Sequence, residues 1–383
     1  MNVSRHSLIF GLSYALDIAG KNNLSHSKST AYLSVLTGRE AGLDPDAILN
    51  LYYTALLHDI ALSNTYDMIQ HCVDGEKILR GLPLPATVAR DVYLHHEFYD
   101  GSGIFGLSGD GIPISAQIVC LASAFDDCFG KLSGGFDRDL FETVRAWLDA
   151  GRAQFSGTVT GAFERLIGRE SFLLDYFNHE TKYMLSDRLV MGDDVRYGYR
   201  DVVKYARCFA DIIDCRSPFT SAHSHGIAEL AGKASAHLGH DGETQSKMYI
   251  AGLLHDIGKL HVAPDILHKN GPLTAEERFE INKHTYYTRK ILEQIDGFED
   301  IVDYAANHHE KIDGTGYPYR VPGERLGELE RVMAICDVYQ ALTEERPYRA
   351  KLPPEQVWDI IGDMGERRHL DGELAAKLRK AFG

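Results

Sequence analysis

Two words recur in order along this chain. LLHDIAL at 56–62 is matched by LLHDIGK at 253–259, and HHEFYDGSGIF at 95–105 by HHEKIDGTGYP at 308–318. Spacings repeat with the words: 32 positions separate His26 from His58 and His223 from His255, and 24 separate His71 from His95 and His284 from His308. Only the interval from the HD pair to the next histidine differs, 13 positions in the first copy and 29 in the second. Chance does not preserve two long spacings together with the residues that end them. The chain reads as a tandem duplication, copy one about 1–195 and copy two about 196–383, with a loop some 16 residues shorter in copy one.

Each copy is long enough for a domain of its own, and 383 residues suit two such cores. Helical periodicity dominates: Val202, Tyr205, Phe209 and Ile212 share one face, as do Leu374, Leu378 and Phe382. The Gly/Pro-rich stretches 101–113 and 313–323 read as loops. No long alternating runs with two-residue turns suggest a sheet, so the expected class is all-α, two tandem helical bundles. The segment 151–198 holds further helices and lacks a flexible linker composition. The apolar stretch Leu8–Ala19 contains Asp17 and no small-residue cleavage site, and reads as a first helix rather than a signal segment.

Composition narrows the partners. A formal charge of −15 repels polyphosphates and disfavours DNA or RNA. No apolar run reaches the roughly 18 residues of a bilayer span, so no membrane partner is expected. The six cysteines form no CxxC, which removes zinc-ribbon and redox motifs and makes a reduced, cytoplasmic protein the default. A small anionic ligand remains allowed, as does a homodimer.

Copy two concentrates His223, His255, Asp256, His284, His308, His309 and Asp337. Imidazole and carboxylate donors suit borderline first-row cations such as iron, manganese or zinc. Neighbouring side chains on a helix diverge by roughly 100°, so an adjacent His-Asp pair approaches one ion from two directions or lets the Asp bridge two. Two such cations would clamp a phosphodiester and activate water between them.

These motifs resemble those of the HD-GYP domains, a branch of the HD superfamily of metal-dependent phosphohydrolases. The matching words are HDIGK with Lys259, Lys283-His284-Thr285, HHEKIDGTGYP, and RVMAICDVYQALTEERPYR at 331–349, and the likeness covers about 200–370. The resemblance implies a helical bundle that hydrolyses cyclic di-GMP, through pGpG, to GMP with two divalent ions, iron or manganese. It implies that His223, His255, Asp256 and Asp337 hold one ion, and that Asp256 bridges to a second held by His284, His308 and His309. Asp256 and Lys259 carry the catalytic roles, Lys259 reaching a phosphate oxygen. Tyr317, Arg346 and Arg349 look like contacts to substrate phosphate. Gly314, Gly316 and Pro318 shape the turn that presents Tyr317. Some relatives bind a third ion through a glutamate four residues before the first histidine; Phe219 stands there, so a dinuclear site is expected.

Copy one keeps His26, His58, Asp59, His71, His95 and His96 but departs elsewhere. Leu62 replaces Lys259, Gly103-Ile104-Phe105 replaces GYP, and Ser123 stands where Asp337 does, with Asp126 nearly one turn later. The half-site for the second ion is intact on paper; the first has lost a carboxylate. This half is expected not to hydrolyse cyclic dinucleotides and to serve as a metal-bound relic, a sensor or a docking platform, with regulation the preferred role.

Two short motifs are decoys. The GxGxxG at 101–106 follows HHEFYD rather than an apolar strand, and the SxxK at 25–28 lacks its partner motifs. Three functions remain open from the residues: cyclic di-GMP hydrolysis, hydrolysis of another cyclic dinucleotide such as 3′3′-cyclic GMP-AMP, and non-catalytic effector binding. The retained ligands of copy two count against the last.

Overall fold

The computed structural model describes residues 1–20, 25–61, 67–132, 137–178, 193–216, 223–269, 271–344 and 351–382. Its regular structure is helical apart from one pair of two-residue strands, β1 (Val3–Ser4) and β2 (Arg196–Tyr197), joined antiparallel. The chain forms two compact units, Leu16–Val195, and Met1–Ala15 together with Arg196–Gly383. The first fifteen residues thus group with the second of these units. Val3 pairs with Tyr197 and Ser4 with Arg196, and a Cβ on Gly11 would lie 2.5 Å from Ile295 Cγ1. Helix α1 (Arg5–Gly20) begins in one unit, and its residues from Leu16 belong to the other.

The unit Leu16–Val195 contains α2 (His26–Glu40), α3 (Pro45–Leu57), α4 (Met68–Arg80), α5 (Ala86–Tyr93), α6 (Ile114–Phe129), α7 (Arg138–Ala150), α8 (Gly157–Ile167) and α9 (Glu170–Phe177). The other continues with α10 (Tyr199–Arg216), α11 (His223–His237), α12 (Gly242–Leu254), α13 (Pro264–Leu267), α14 (Ala275–Asn282), α15 (His284–Leu292), α16 (Glu299–Ala306), α17 (Glu328–Thr343), α18 (Pro354–Glu366) and α19 (Gly372–Phe382).

The duplication is visible helix by helix. α2 and α11 each have 15 residues, α3 and α12 have 13, α5 and α16 have 8, and α6 and α17 have 16. Even the start signals repeat: Asp44 caps α3 by accepting from Ala47 N at 2.9 Å, and Asp241 caps α12 by accepting from Thr244 N at 2.8 Å. Buried carboxylates tie the preceding helix to the first histidine's neighbour in both units. Asp17 accepts from Ser27 N at 2.7 Å, and Asp214 accepts from Ser224 Oγ at 2.8 Å.

The apolar runs before each HD pair end helices that are buried nearly all round. Leu51, Tyr52, Tyr53, Ala55, Leu56 and Leu57 in α3, and Ile250, Ala251, Leu253 and Leu254 in α12, are all inaccessible to solvent. An apolar helix of this kind belongs at the centre of a bundle. The HD pair itself is not inside a helix, which corrects the reading of two neighbours on one helix. His255 caps α12, and Asp256 opens the 3-10 turn Ile257–His261. This turn packs on α15, and only glycine fits at its second position: a Cβ on Gly258 would lie 1.9 Å from the carbonyl oxygen of His284. Ala61 occupies the equivalent place in the first half, where Gly75 replaces Thr288 on the facing helix. A Cβ on Gly75 would stand 4.0 Å from Ala61 Cβ, so the missing side chain has changed sides of the contact.

Overpacking against backbone cannot be relieved by a rotamer change. Gly258→Ala is therefore expected to cost about 3 kcal/mol of stability in urea unfolding. Ala61→Gly should cost about 1 kcal/mol or less, a difference the unfolding midpoints of the two variants would register.

Candidate metal centre

All seven copy-two residues singled out from sequence converge. His223 opens α11, His255 and Asp256 follow α12, His284 opens α15, His308 and His309 follow α16, and Asp337 lies in the middle of α17. Asp256 stands between two groups of imidazoles. Its Oδ2 is 3.1 Å from His255 Nε2, while Oδ1 is 3.3 Å from His284 Nε2 and 3.9 Å from His308 Nε2. Asp337 closes the other side, with Oδ1 3.6 Å from His223 Nε2 and Oδ2 4.0 Å from His309 Nδ1.

The donor atoms fit divalent metal ions. His255, His284 and His308 each hold Nδ1 against a backbone carbonyl three residues earlier, on Gly252, Ile281 and Ala305, at 2.6–2.8 Å. A carbonyl only accepts, so Nδ1 carries the proton and Nε2 presents a lone pair. The Nε2 atoms of His284 and His308 face each other at 3.3 Å, two acceptors with no proton between them. His255 Nε2 and Asp256 Oδ1 are buried without a hydrogen bond. Buried polar atoms left so are costly, and a cation between them removes that cost. One donor atom each from His284, His308 and His309 lie within 4.8 Å of one another, as do those from His223, His255 and Asp256.

Electrostatics prepares the ligands. Burial, helped by the positive charges of His309 and Lys259, lowers His284 to about 3. Burial likewise pushes His308 well below the usual range and lowers His309. Burial works against ionising Asp256 and Asp337, yet the imidazoles around them, with Lys259 beside Asp256, hold both carboxyls well below the usual range. The site thus presents neutral imidazoles and ionised carboxylates, the forms that bind metal. His223 is the exception. Burial opposes its charge, but hydrogen bonds to Asp337 and Glu344 raise it to about 9.

Glu344 and Glu310 were not singled out from sequence. Glu344 Oε2 is 2.9 Å from His223 Nδ1, and Gln340 Nε2 steadies Oε1 at 2.6 Å. Glu344 lies seven positions after Asp337, two turns along one helical face, which is the signal that points to it. Glu310, the third letter of HHE, is buried and accepts from Tyr319 N at 2.8 Å and Val321 N at 2.9 Å. Its repetition as Glu97 is the corresponding signal. Glu97 accepts from Phe105 N and Leu107 N, both at 2.6 Å. The loops differ in wording but share this buckle. A Cβ on Gly316 would lie 2.5 Å from Glu310 Cα, and one on Gly103 2.6 Å from Glu97 Cα, so both loops fold back onto their own start. The GxGxxG stretch is part of such a buckled loop, with no strand before it.

Tyr317 leaves this loop to pack against His309, ring centroids 4.8 Å apart, and burial keeps its phenol protonated. Lys259 Nζ donates to Asp256 Oδ2 and is partly exposed. Arg346, Arg349, Phe219 and Leu62 lie outside the described residues.

The first half gathers His26, His58, Asp59, His71, His95 and His96 in the same pattern. His58 Nδ1 and His95 Nδ1 meet the carbonyls of Ala55 and Val92 at 2.8 and 2.6 Å. Ser123 Oγ, in the place of Asp337, lies 3.3 Å from His26 Nε2. Asp126 does not replace the lost carboxylate. Its Oδ2 is 2.8 Å from His26 Nδ1, and Oδ1 accepts from Tyr176 at 2.6 Å, so it plays the part that Glu344 plays in the second half.

These shifts fix the pH response of metal-free protein. A histidine lowered in the fold is protonated first in the unfolded chain, so its contribution is lost as pH falls from 6.5, for His284 towards about 3. His223 acts oppositely: its stabilisation is complete below 6.5 and is lost as pH rises through about 9. Lowered histidines outnumber raised ones, so chelator-treated protein should show a lower urea midpoint at about pH 5 than at about pH 7.

Comparison with known proteins agrees with this geometry. HD-domain family models match residues 207–374 and, separately, 23–127. The chain is 28% identical to 3′3′-cGAMP-specific phosphodiesterase 1 of Vibrio cholerae, over 97% of this chain and 90% of that protein. It is 30% identical to 3′3′-cGAMP-specific phosphodiesterase 3 of the same organism, over 82% of this chain and 68% of the relative. Relatives named cyclic di-GMP phosphodiesterases, from Pseudomonas aeruginosa and Xanthomonas campestris among others, align over 35% and 37% of this chain. The crystal structure of a cyclic GMP-AMP-specific phosphodiesterase of V. cholerae shares the fold, with a TM-score of 0.74 at 21% identity, covering 100% of this chain and 98% of that one. Two HD domains in tandem, each with its histidines brought to one point, place the chain in the HD superfamily of phosphodiesterases.

Proposed function

We propose that the protein hydrolyses a cyclic dinucleotide, that the second half performs the chemistry as an HD-GYP-type site, and that 3′3′-cyclic GMP-AMP is the substrate. One observation carries the activity: two carboxylates, Asp256 and Asp337, stand in one cluster with five histidines. The substrate reading is supported by organisation. Relatives that align along most of this chain are named for 3′3′-cGAMP, whereas those named for cyclic di-GMP align over about a third of it. Cyclic di-GMP, implied by the GYP motif, is the second reading.

In this reading His223, His255, Asp256 and Asp337 would hold one ion, and His284, His308 and His309, with Asp256, would hold another. When bound, two such ions, iron or manganese, supply Lewis acidity to a phosphodiester and lower the pKa of an attacking water. The protein's own groups do the rest. Carbonyls behind the imidazoles lock the ligand tautomers before substrate arrives. Lys259 exchanges its bond with Asp256 for one to a phosphate oxygen, placing positive charge where negative charge develops. Tyr317, kept protonated by burial, offers a neutral donor at the rim. Attack opens the ring to a linear dinucleotide with a terminal phosphate, and a second cut yields mononucleotides.

No helix among the described residues is long and apolar enough to cross a membrane. A cytoplasmic setting, where a second messenger is met, is part of this reading. The first half, with Ser123 for a carboxylate, takes a structural or regulatory role.

Anaerobic incubation of iron- or manganese-loaded protein with each nucleotide, products resolved by chromatography, tests the reading. Turnover is expected to disappear in the His255→Ala/Asp256→Ala protein and to fall about a hundredfold in Lys259→Met. His58→Ala/Asp59→Ala should leave it unchanged; an equal loss there would overturn the assignment to the second half. A preference for cyclic di-GMP would select the second reading, and no turnover of either nucleotide would reject hydrolysis.

A further inference from the structure

The catalytic reading leaves the histidines of the first half unused, and they are not arranged as ordinary core residues. His71 and His95 are inaccessible to solvent, and His96 is half-buried. Among the described residues both ring nitrogens of His71, and the Nε2 atoms of His58, His95 and His96, are buried without a hydrogen bond. Five buried imidazole nitrogens without a hydrogen bond, on four neighbouring rings, are costly for a packing role alone.

The geometry of the three-histidine group matches its counterpart closely. Ring centroids of the pairs His71–His95, His71–His96 and His95–His96 are 5.3, 5.8 and 4.0 Å apart; those of His284–His308, His284–His309 and His308–His309 are 5.3, 5.2 and 4.2 Å apart. One donor atom each from His71, His95 and His96 fall within 4.8 Å of one another, and Asp59 Oδ1 is 3.5 Å from His71 Nε2. Three imidazoles and a carboxylate make a borderline donor set that suits a first-row transition ion and not magnesium or calcium.

The neighbouring position is different. His26, His58 and Asp59 bring one donor atom each within 4.8 Å of one another, but where the second half adds Asp337, His26 Nε2 faces the Ser123 hydroxyl at 3.3 Å. Charge counting reaches the same end. Two dications side by side repel strongly, and the second half sets two carboxylates, Asp256 and Asp337, against them. Among the described residues of the first half, Asp59 alone faces the imidazole Nε2 atoms; Asp126 lies at His26 Nδ1, as Glu344 lies at His223 Nδ1, which leaves one facing carboxylate for one dication.

We propose that the first half binds a single divalent transition-metal ion between His71, His95 and His96 with Asp59, and no second ion beside it. Loss of Asp337's equivalent has turned a two-ion site into a one-ion site, which keeps the half folded around a metal and removes the pair needed for hydrolysis.

The test counts ions in the full-length protein. Chelator-stripped protein is reloaded with cobalt(II), desalted and analysed for cobalt and for visible absorbance. The His71→Ala/His95→Ala protein is treated identically. The difference between the two measures the first half alone, whatever the second half holds, so it stands apart from the phosphodiesterase reading. A difference of one ion per chain, with loss of part of the cobalt spectrum, is expected. A difference of zero overturns the site, and a difference of two overturns its single occupancy. Retained helical circular dichroism shows that the variant is folded. A gain-of-binding variant covers the case in which it is not: Ser123→Asp restores the missing carboxylate and should add one cobalt per chain to the wild-type count. No added ion there would contradict the carboxylate argument.

Discussion

A carboxylate set between two groups of imidazoles is the contact around which each unit is organised. Asp256 reaches both sets because the chain leaves α12 at His255 and tightens into a 3-10 turn, so successive side chains splay apart. Placing a carboxylate so deep is costly, and the surrounding histidines and Lys259 offset that cost by holding it ionised. The Gly258 contact, the HHE loop and the position of α17 all serve to bring ligands from five helices to this one side chain.

Helix ends do the positioning. Carbonyls near the end of a helix lack intrahelical partners. Here they receive the Nδ1–H of a histidine three residues on: Gly252 from His255, Ile281 from His284, Ala305 from His308, and in the first half Ala55 from His58 and Val92 from His95. The same bond completes the helix end and leaves the Nε2 lone pair facing into the histidine cluster. This explains how the geometry of the histidines survives in a half whose GYP and lysine are gone: they finish helices, whatever else they do. What has diverged is charge, since Ser123 keeps the shape of its surroundings and loses the negative charge of Asp337.

The fold and the clustering of the histidines are legible because the sequence contains its own comparison. Repetition separates His71, His95 and His96 from histidines that occur once, and equal spacings become helices of equal length. Features that changed between copies were hidden. Gly258 facing Thr288 becomes Ala61 facing Gly75, one fit achieved in two ways, so no shared word records it. Glu344 and Asp126 serve the first histidine from different positions, seven and three residues past the reference point, and escape an in-register comparison. The association of residues 1–15 with the second half rests on a strand of two residues, too short for any periodic signal.

The central claim is that carboxylate count separates a hydrolytic half from a metal-holding one. It is tested most directly by giving the second half the first half's residue. Asp337→Ser protein, metal-loaded and matched to wild type in helical content, is incubated with 3′3′-cyclic GMP-AMP and cyclic di-GMP and its products are separated. The account predicts no linear dinucleotide or mononucleotide from either. Turnover near the wild-type rate would contradict it, because a serine would then suffice where a second carboxylate is held to be required.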